Sequence, residues 1–171
     1  MPEPITLSVP AGEGGAVRIE WDSEGLGNLS DAASASAWSI DTPIAWDAIA
    51  AIRLLSAEFN DGSLLTLAAV RPVSASGHGD EAVEAVLRRK EGDDAELEQV
   101  LLSTEYGPTG EPTRVGVELH LSDKDMPLRV AGDAQGGHSV TEDAMPRSVT
   151  ELTVRLGGTE GRGALEILRA T

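Results

Sequence analysis

The sequence predicts a mainly β protein, a single antiparallel β-barrel over residues 1–171, and three observations carry that expectation. About ten short segments alternate apolar and polar residues with the period of two that marks a strand buried on one face. Clusters of Gly, Pro, Asn, Asp and Ser separate these segments at intervals too short for intervening helices, the spacing of an antiparallel barrel or sandwich. No strand-helix-strand alternation occurs, which sets aside a parallel nucleotide-binding sheet.

The elements follow in order. Residues 4–9 (PITLSV) and 16–21 (AVRIEW) each alternate, and the glycines between them predict a strand, a glycine-rich loop and a second strand. From Asp22 to Asp41 the chain is rich in Ser, Ala, Gly and Asp with Trp38 its single aromatic residue, so a long loop is expected over 22–41. Thr42 ahead of Pro43 is a helix cap with proline at the first helical position, and it predicts a short helix over 43–51. Arg53, Leu55, Ala57 and Phe59 then alternate with Leu54, Ser56 and Glu58 up to Asn60-Asp61-Gly62, where glycine supplies a positive φ, and a hairpin is expected over 52–71. Residues 81–90 (EAVEAVLRRK) fit both a helical face and a strand. Intrinsic propensity favours helix, whereas the turn at Glu91-Gly92-Asp93-Asp94 and the alternating return from Leu97 to Tyr106 favour a hairpin, which is the expectation adopted.

The clearest stretch runs from Glu98 to Asp133. Val115, Val117, Leu119 and Leu121 alternate with Gly116, Glu118, His120 and Ser122, and the turns GPTGEP (107–112) and SDKDMP (122–127) make it a three-stranded meander. Residues 148–156 and 163–169 close the chain as a last hairpin.

Composition limits the function classes. A chain of 171 residues and 17.8 kDa has room for one domain with a substantial core. Its 13 basic and 29 acidic residues give a net charge of −16, which repels phosphate backbones and anionic membranes, so neither nucleic acid nor membrane is an expected partner. No apolar run reaches the roughly 20 residues of a membrane span. No basic-then-apolar leader opens the sequence, so the expected location is cytoplasmic. Cysteine is absent, which removes thiolate chemistry and disulfides. Only Lys90 and Lys124 accompany the arginines, in a background of Ala and Gly that points to a GC-rich bacterial genome.

No motif specifies a reaction. There is neither a Gly-x-Ser-x-Gly elbow nor a phosphate-binding Gly-x-x-x-x-Gly-Lys loop. The histidines are His78, His120 and His138. Glu118 and His120, two apart on one strand, share a face, and they are read either as two ligands of a cupin-like metal site or as part of a solvated face. A cupin would show a His-x-His pair with further ligands, which this chain lacks, and no metal or other cofactor is expected. His78 lies with Asp80 and Glu81 between glycines, either a ligand-contacting loop or a plain polar one. Aromatic residues make up only 3%, so Trp21, Trp38, Trp46 and Tyr106 are candidates both for the core and for a ligand cavity.

The order of several short segments resembles a known family. AEFNDGS (57–63), GHGDE (77–81), LSTEY (102–106), GEP (110–112), PLRVAG (127–132) and GRGALE (161–166) are similar to the lipocalin-like half-domain of the carotenoid hydratase (hydroxyneurosporene synthase) superfamily, over roughly Ile52 to Arg169. The resemblance implies a lipocalin-like antiparallel barrel around an apolar cavity, in a superfamily of hydratases and cyclases acting on terpenoid or polyketide substrates. Members carry two such barrels where this chain has room for one, and an Asp-His-Ser-Trp-Gly-like segment where Leu29 to Ser34 lacks the His and Trp.

The resulting expectation is a barrel that binds a small, largely apolar metabolite, with turnover left open; if there is turnover, it is hydration, cyclisation or isomerisation without a cofactor. Glu118 or Glu105 would be the acid, with a pKa raised by burial, and His120 its proton partner. Tyr106, Arg129, Trp46, Trp38 and His78 would bind the ligand, with Arg129 on a carboxylate or oxyanion. The alternatives are a non-catalytic interaction or assembly protein with an acidic surface, and a cupin-like metal-dependent enzyme. The expected partners are the metabolite and, at most, a second copy of the chain in a homodimer.

Overall fold

The computed structural model describes residues 4–10, 15–21, 38–40, 43–75, 81–142 and 145–169, the side chains of 138–147 aside. The described residues form strands β1 (Ile5–Pro10), β2 (Ala16–Trp21), β3 (Trp38–Ile40), β4 (Ile49–Phe59), β5 (Leu64–Pro72), β6 (Ala82–Arg88), β7 (Leu97–Tyr106), β8 (Pro112–Leu121), β9 (Leu128–Glu142), β10 (Met145–Leu156) and β11 (Thr159–Arg169). No helix occurs among them.

Eight strands make one antiparallel sheet in the order β6-β5-β4-β11-β10-β9-β8-β7, curled so that its edges meet as a nearly closed barrel. The inside is set by period two. Leu55, Ala57 and Phe59 of β4, Leu65, Leu67 and Ala69 of β5, Val115, Val117 and Leu119 of β8, and Leu165 and Ile167 of β11 pack into one apolar cluster. Among the described residues, backbone hydrogen bonds join the edges at one end of the seam. There Arg88 bridges Asp94, Ala95 N–H donates to the Leu87 carbonyl at 2.8 Å, and Arg89 N–H donates to the Asp93 carbonyl at 2.8 Å.

The remaining strands form a small sheet, β1-β2-β3, laid on the outer face of β4, β5 and β6. Ile5, Leu7, Val9, Ile19 and Trp21 press against Ile52, Leu54, Ala68, Val70 and Leu168 in a second apolar layer. Trp21 is fully buried, and its Nε1 donates to the Ser56 hydroxyl at 2.8 Å, which satisfies the one polar atom the indole brings in. Strands β4 and β5 are therefore covered on both faces.

Two expectations change. Residues 43–51 do not form a helix: Ala45 C=O accepts from Ala48 N–H at 2.9 Å and Ile49 N–H at 3.0 Å, a single turn, and β4 begins at Ile49. Helix propensity loses here because Ile49 pairs with Pro72, Ala51 with Arg71 and Arg169, and burial against two layers outweighs a few tenths of a kcal/mol per residue. Within the loop expected over 22–41, Trp38–Ile40 is a strand paired with β2, and the rest lies outside the described residues. Residues 82–88 are strand, as the hairpin context indicated.

Gly161 stands opposite Phe59, and a Cβ there would come within 2.7 Å of the Phe59 Cα and 2.9 Å of the Glu58 carbonyl carbon. Backbone cannot yield as a side-chain tip can, so Gly161→Ala is expected to destabilise the fold by about 2 kcal/mol in a denaturant titration. In the β4–β5 turn the Ser63 amide donates to the Asp61 carboxylate at 2.9 Å and holds its pKa below the ordinary 3.8. A lowered folded pKa gives stability that is present above the unfolded value and lost as pH falls through the folded one. The difference in Tm between the wild type and Asp61→Ala is therefore expected at neutral pH and should vanish well below 3.8.

Candidate functional site

Antiparallel strands bring alternate ends to each rim. One rim gathers the start of β4, the end of β5, the start of β6, the end of β7 and the end of β11. A cleft of about 500 Å³ opens there, lined by Ala50, Ala51, Arg53, Arg71, Glu81, Thr104, Tyr106, Gly110, Ile167 and Arg169. Below it lies the apolar cluster of the barrel interior, with Leu55, Leu67, Ala69 and Leu165 among its members.

Arg53 is the cleft's floor. It follows from the inward row Arg53, Leu55, Ala57, Phe59, and its register partners Ala69 and Ile167 belong to that same interior. Its side chain is 10% exposed and that of Glu81 4%. Arg53 Nε donates to Glu81 Oε1 at 3.1 Å, Nη2 to the same oxygen at 2.6 Å, and Nη1 to the Thr104 hydroxyl at 2.6 Å. Glu81 immediately precedes β6 and Thr104 is on β7, so the guanidinium spans the two sheet edges at the end of the seam opposite the Arg88–Asp94 bridge. A groove of about 490 Å³ runs along that seam past Val83, Val100 and Leu102 and shares Glu81 with the cleft. The pairing is what permits a cation and an anion at this depth, because an isolated buried charge is costly.

The rim above Arg53 is shaped by a register shift between Ile49 and Ala51. This bulge brings both Ala50 and Ala51 to the cleft wall. Arg71 and Arg169 are the register partners of Ala51 on either side, so two guanidiniums flank one methyl group.

The residues expected from the sequence are scattered. Tyr106 lines the cleft and is 47% exposed. Glu118, His120 and Arg129, expected inside, are outside. Val115, Val117, Leu119 and Leu121 occupy the interior, and period two sends the intervening residues to the outer face. There Arg129 Nη2 lies 3.3 Å from Glu118 Oε1, and His120 Nε2 4.0 Å from Glu118 Oε2. Glu105 pairs in register with Arg114 and is exposed on that same face. Trp38 and Trp46 belong to the outer apolar layer, where Trp38 Nε1 donates to the Glu166 carboxylate. His78 lies outside the described residues, as does the side chain of His138. No group of three His, Asp or Glu side chains suited to a metal occurs among the described residues.

Sequence reasoning missed Arg53, Arg71, Thr104 and Arg169. One signal was present: Arg53 is the only charge in the apolar run from Ile49 to Ala57, and such a charge calls for a partner.

Arg53→Met is expected to lose about 3 kcal/mol of unfolding free energy, because Glu81 is left buried without its partner, whereas Arg53→Met with Glu81→Leu should recover most of that loss. Denaturant titration of the two variants beside the wild type checks it. Equal stability of the single and double variants would show that the pair is not a coupled buried unit.

No family model matches the chain, and no curated protein matches it. Among solved structures it is similar to a crystal structure of a protein from Nitrosomonas europaea provisionally described as AttH, with a TM-score of 0.56 and 18% identity. The match covers 76% of this chain and 42% of that one, so this chain spans less than half of its neighbour, and the likeness is one of fold.

Proposed function

We propose that this protein binds a small, largely apolar metabolite at the Arg53 rim of the barrel. The observation that carries the reading is the cleft of about 500 Å³, a volume within the range of small-molecule sites, sited at the rim next to the apolar cluster, with Ile167 common to both. Ala50, Ala51, Ile167 and Tyr106 offer apolar wall, and the Arg53–Glu81–Thr104 cluster offers a fixed polar floor. The fold shared with the AttH neighbour is compatible with this use. Terpenoid and polyketide-like molecules have the apolar surface that such a wall would take.

The reading is of binding in preference to turnover. Glu105, Glu118 and His120, the groups expected to move protons, lie on the outer face, and the one carboxylate of the cleft among the described residues is held by Arg53. Hydration, cyclisation or isomerisation at this rim would need Glu81 freed from that partner. A cytoplasmic location and a homodimer are part of the same proposal.

A second reading, an interaction protein, is favoured by one feature. An outer-face groove of about 470 Å³ runs between β7, β8 and β9, where Gly116 and Ala131 leave room beside Leu101, itself 44% exposed.

Native mass spectrometry of protein purified from its own source is expected to show one small-molecule adduct, and Ala51→Trp, which fills the cleft, should abolish it. Retention of the adduct by Ala51→Trp together with its loss on Gly116→Leu would move the site to the outer groove.

A further inference from the structure

The charges around the cleft run against those of the chain. The protein carries −16, yet the cleft is lined by Arg53, Arg71 and Arg169 against the single carboxylate of Glu81. Arg53 is committed to Glu81 and Thr104. The guanidinium groups of Arg71 and Arg169 have no hydrogen bond or ion pair with any described residue. Among the described residues, two cations without a counter-charge therefore stand at one small opening.

Their placement is geometric. Both are register partners of Ala51, one on β5 and one on β11, so their Cα atoms are two interstrand spacings apart, roughly 10 Å. Ala51 is too small to fill the space between them. Guanidinium side chains starting that far apart are long enough to meet on a single planar anion, each offering N–H groups in a fork matched to carboxylate oxygens. Ile167 and Tyr106, on the wall beside them, suit an apolar body attached to that anion.

Resting on the binding proposal above, we infer that the ligand is an amphiphilic carboxylic acid, its carboxylate held between Arg71 and Arg169 and its apolar part lying in the cleft. Arg53 is a positioning residue. Tied to Glu81, it keeps the floor neutral as a pair, so the anion is drawn to the rim and the ligand has one orientation. In an otherwise acidic protein the two rim arginines also provide the local positive potential that admits an anion at all.

The test titrates the full chain with decanoate, decanol, decyltrimethylammonium and decyl phosphate, each below its micellar concentration, by calorimetry. Decanoate is expected to bind about ten-fold or more tightly than decanol, as a charge-assisted bidentate contact provides, with no binding of the cationic probe. Arg71→Gln with Arg169→Gln should erase the preference, and Arg71→Lys with Arg169→Lys should retain part of it. On the unmodified protein, rising salt should narrow the gap between decanoate and decanol, a readout that needs no variant. Equal binding of decanoate and decanol, both lost in Ala51→Trp, would overturn the carboxylate and leave the binding site standing. Decyl phosphate tighter than decanoate would overturn the carboxylate in favour of a phosphate. No binding of any probe would overturn both.

Discussion

Strand β4 is buried on both faces, and the arrangement of the other strands depends on that constraint. Its inner row, Leu55, Ala57 and Phe59, completes the barrel core, while its outer row, Ile52, Leu54 and Ser56, needs a cover, which β1, β2 and β3 supply. Each large aliphatic side chain sealed in this way contributes roughly 1.5–3 kcal/mol relative to exposure, and β4 makes that gain twice over. A barrel without the small sheet would present Ile52, Leu54, Ala68, Val70 and Leu168 to water as one continuous apolar patch. The side sheet is thus a requirement of the barrel's composition.

The same strand explains the polarity of the rim. Proceeding from Phe59 towards the start of β4, the inward row turns from apolar side chains to Arg53 and then to Ala51. The core ends where the guanidinium begins, and the cleft opens above it. Glu81 and Thr104 reach Arg53 from the two sheet edges that no backbone ladder joins at that end. A side-chain bridge thereby does at one end of the seam what the Arg88–Asp94 contact does at the other. Buried ion pairs add little net stability against apolar substitutes, so what this one supplies is placement: it fixes which strand ends adjoin.

The legibility of the sequence follows the wetting of each face. From β7 to β9 the outer face is exposed, alternation survives, and both strands and turns can be read from residues 98–133. That alternation also contained the facing of Glu118 and His120, because valine and leucine in the interior leave them outside. In β4 and β5 both faces are covered, so apolar residues occur at successive positions and the pattern that separates inside from outside is erased. Arg53 could be grouped with Leu55, Ala57 and Phe59, yet nothing local marked that group as the interior. Glu81 stood within a cluster, GHGDE, already singled out as polar and glycine-flanked. The meeting of Arg71 and Arg169 was not legible, since Arg169 reaches Ala51 only through the pairing of β4 with β11, over 100 residues on, and no local pattern records that register.

The pairing of β4 with β11 also orders events during synthesis. Ala51 leaves the ribosome far ahead of Arg169, its eventual neighbour. The β4–β5 hairpin and the side sheet are local and form early, whereas closure must wait until β11 has been made and a long loop has paid its entropy. Through that interval the inner row of β4 has no partner strand on one side, and Leu55 and Phe59 are open to wrong pairings. The glycines at 161 and 163, which let β11 approach the β4 backbone closely, sit where that late strand first meets the waiting one. The cleft is therefore the last part of the molecule to be walled in, because Ile167 and Arg169 arrive with the closing strand.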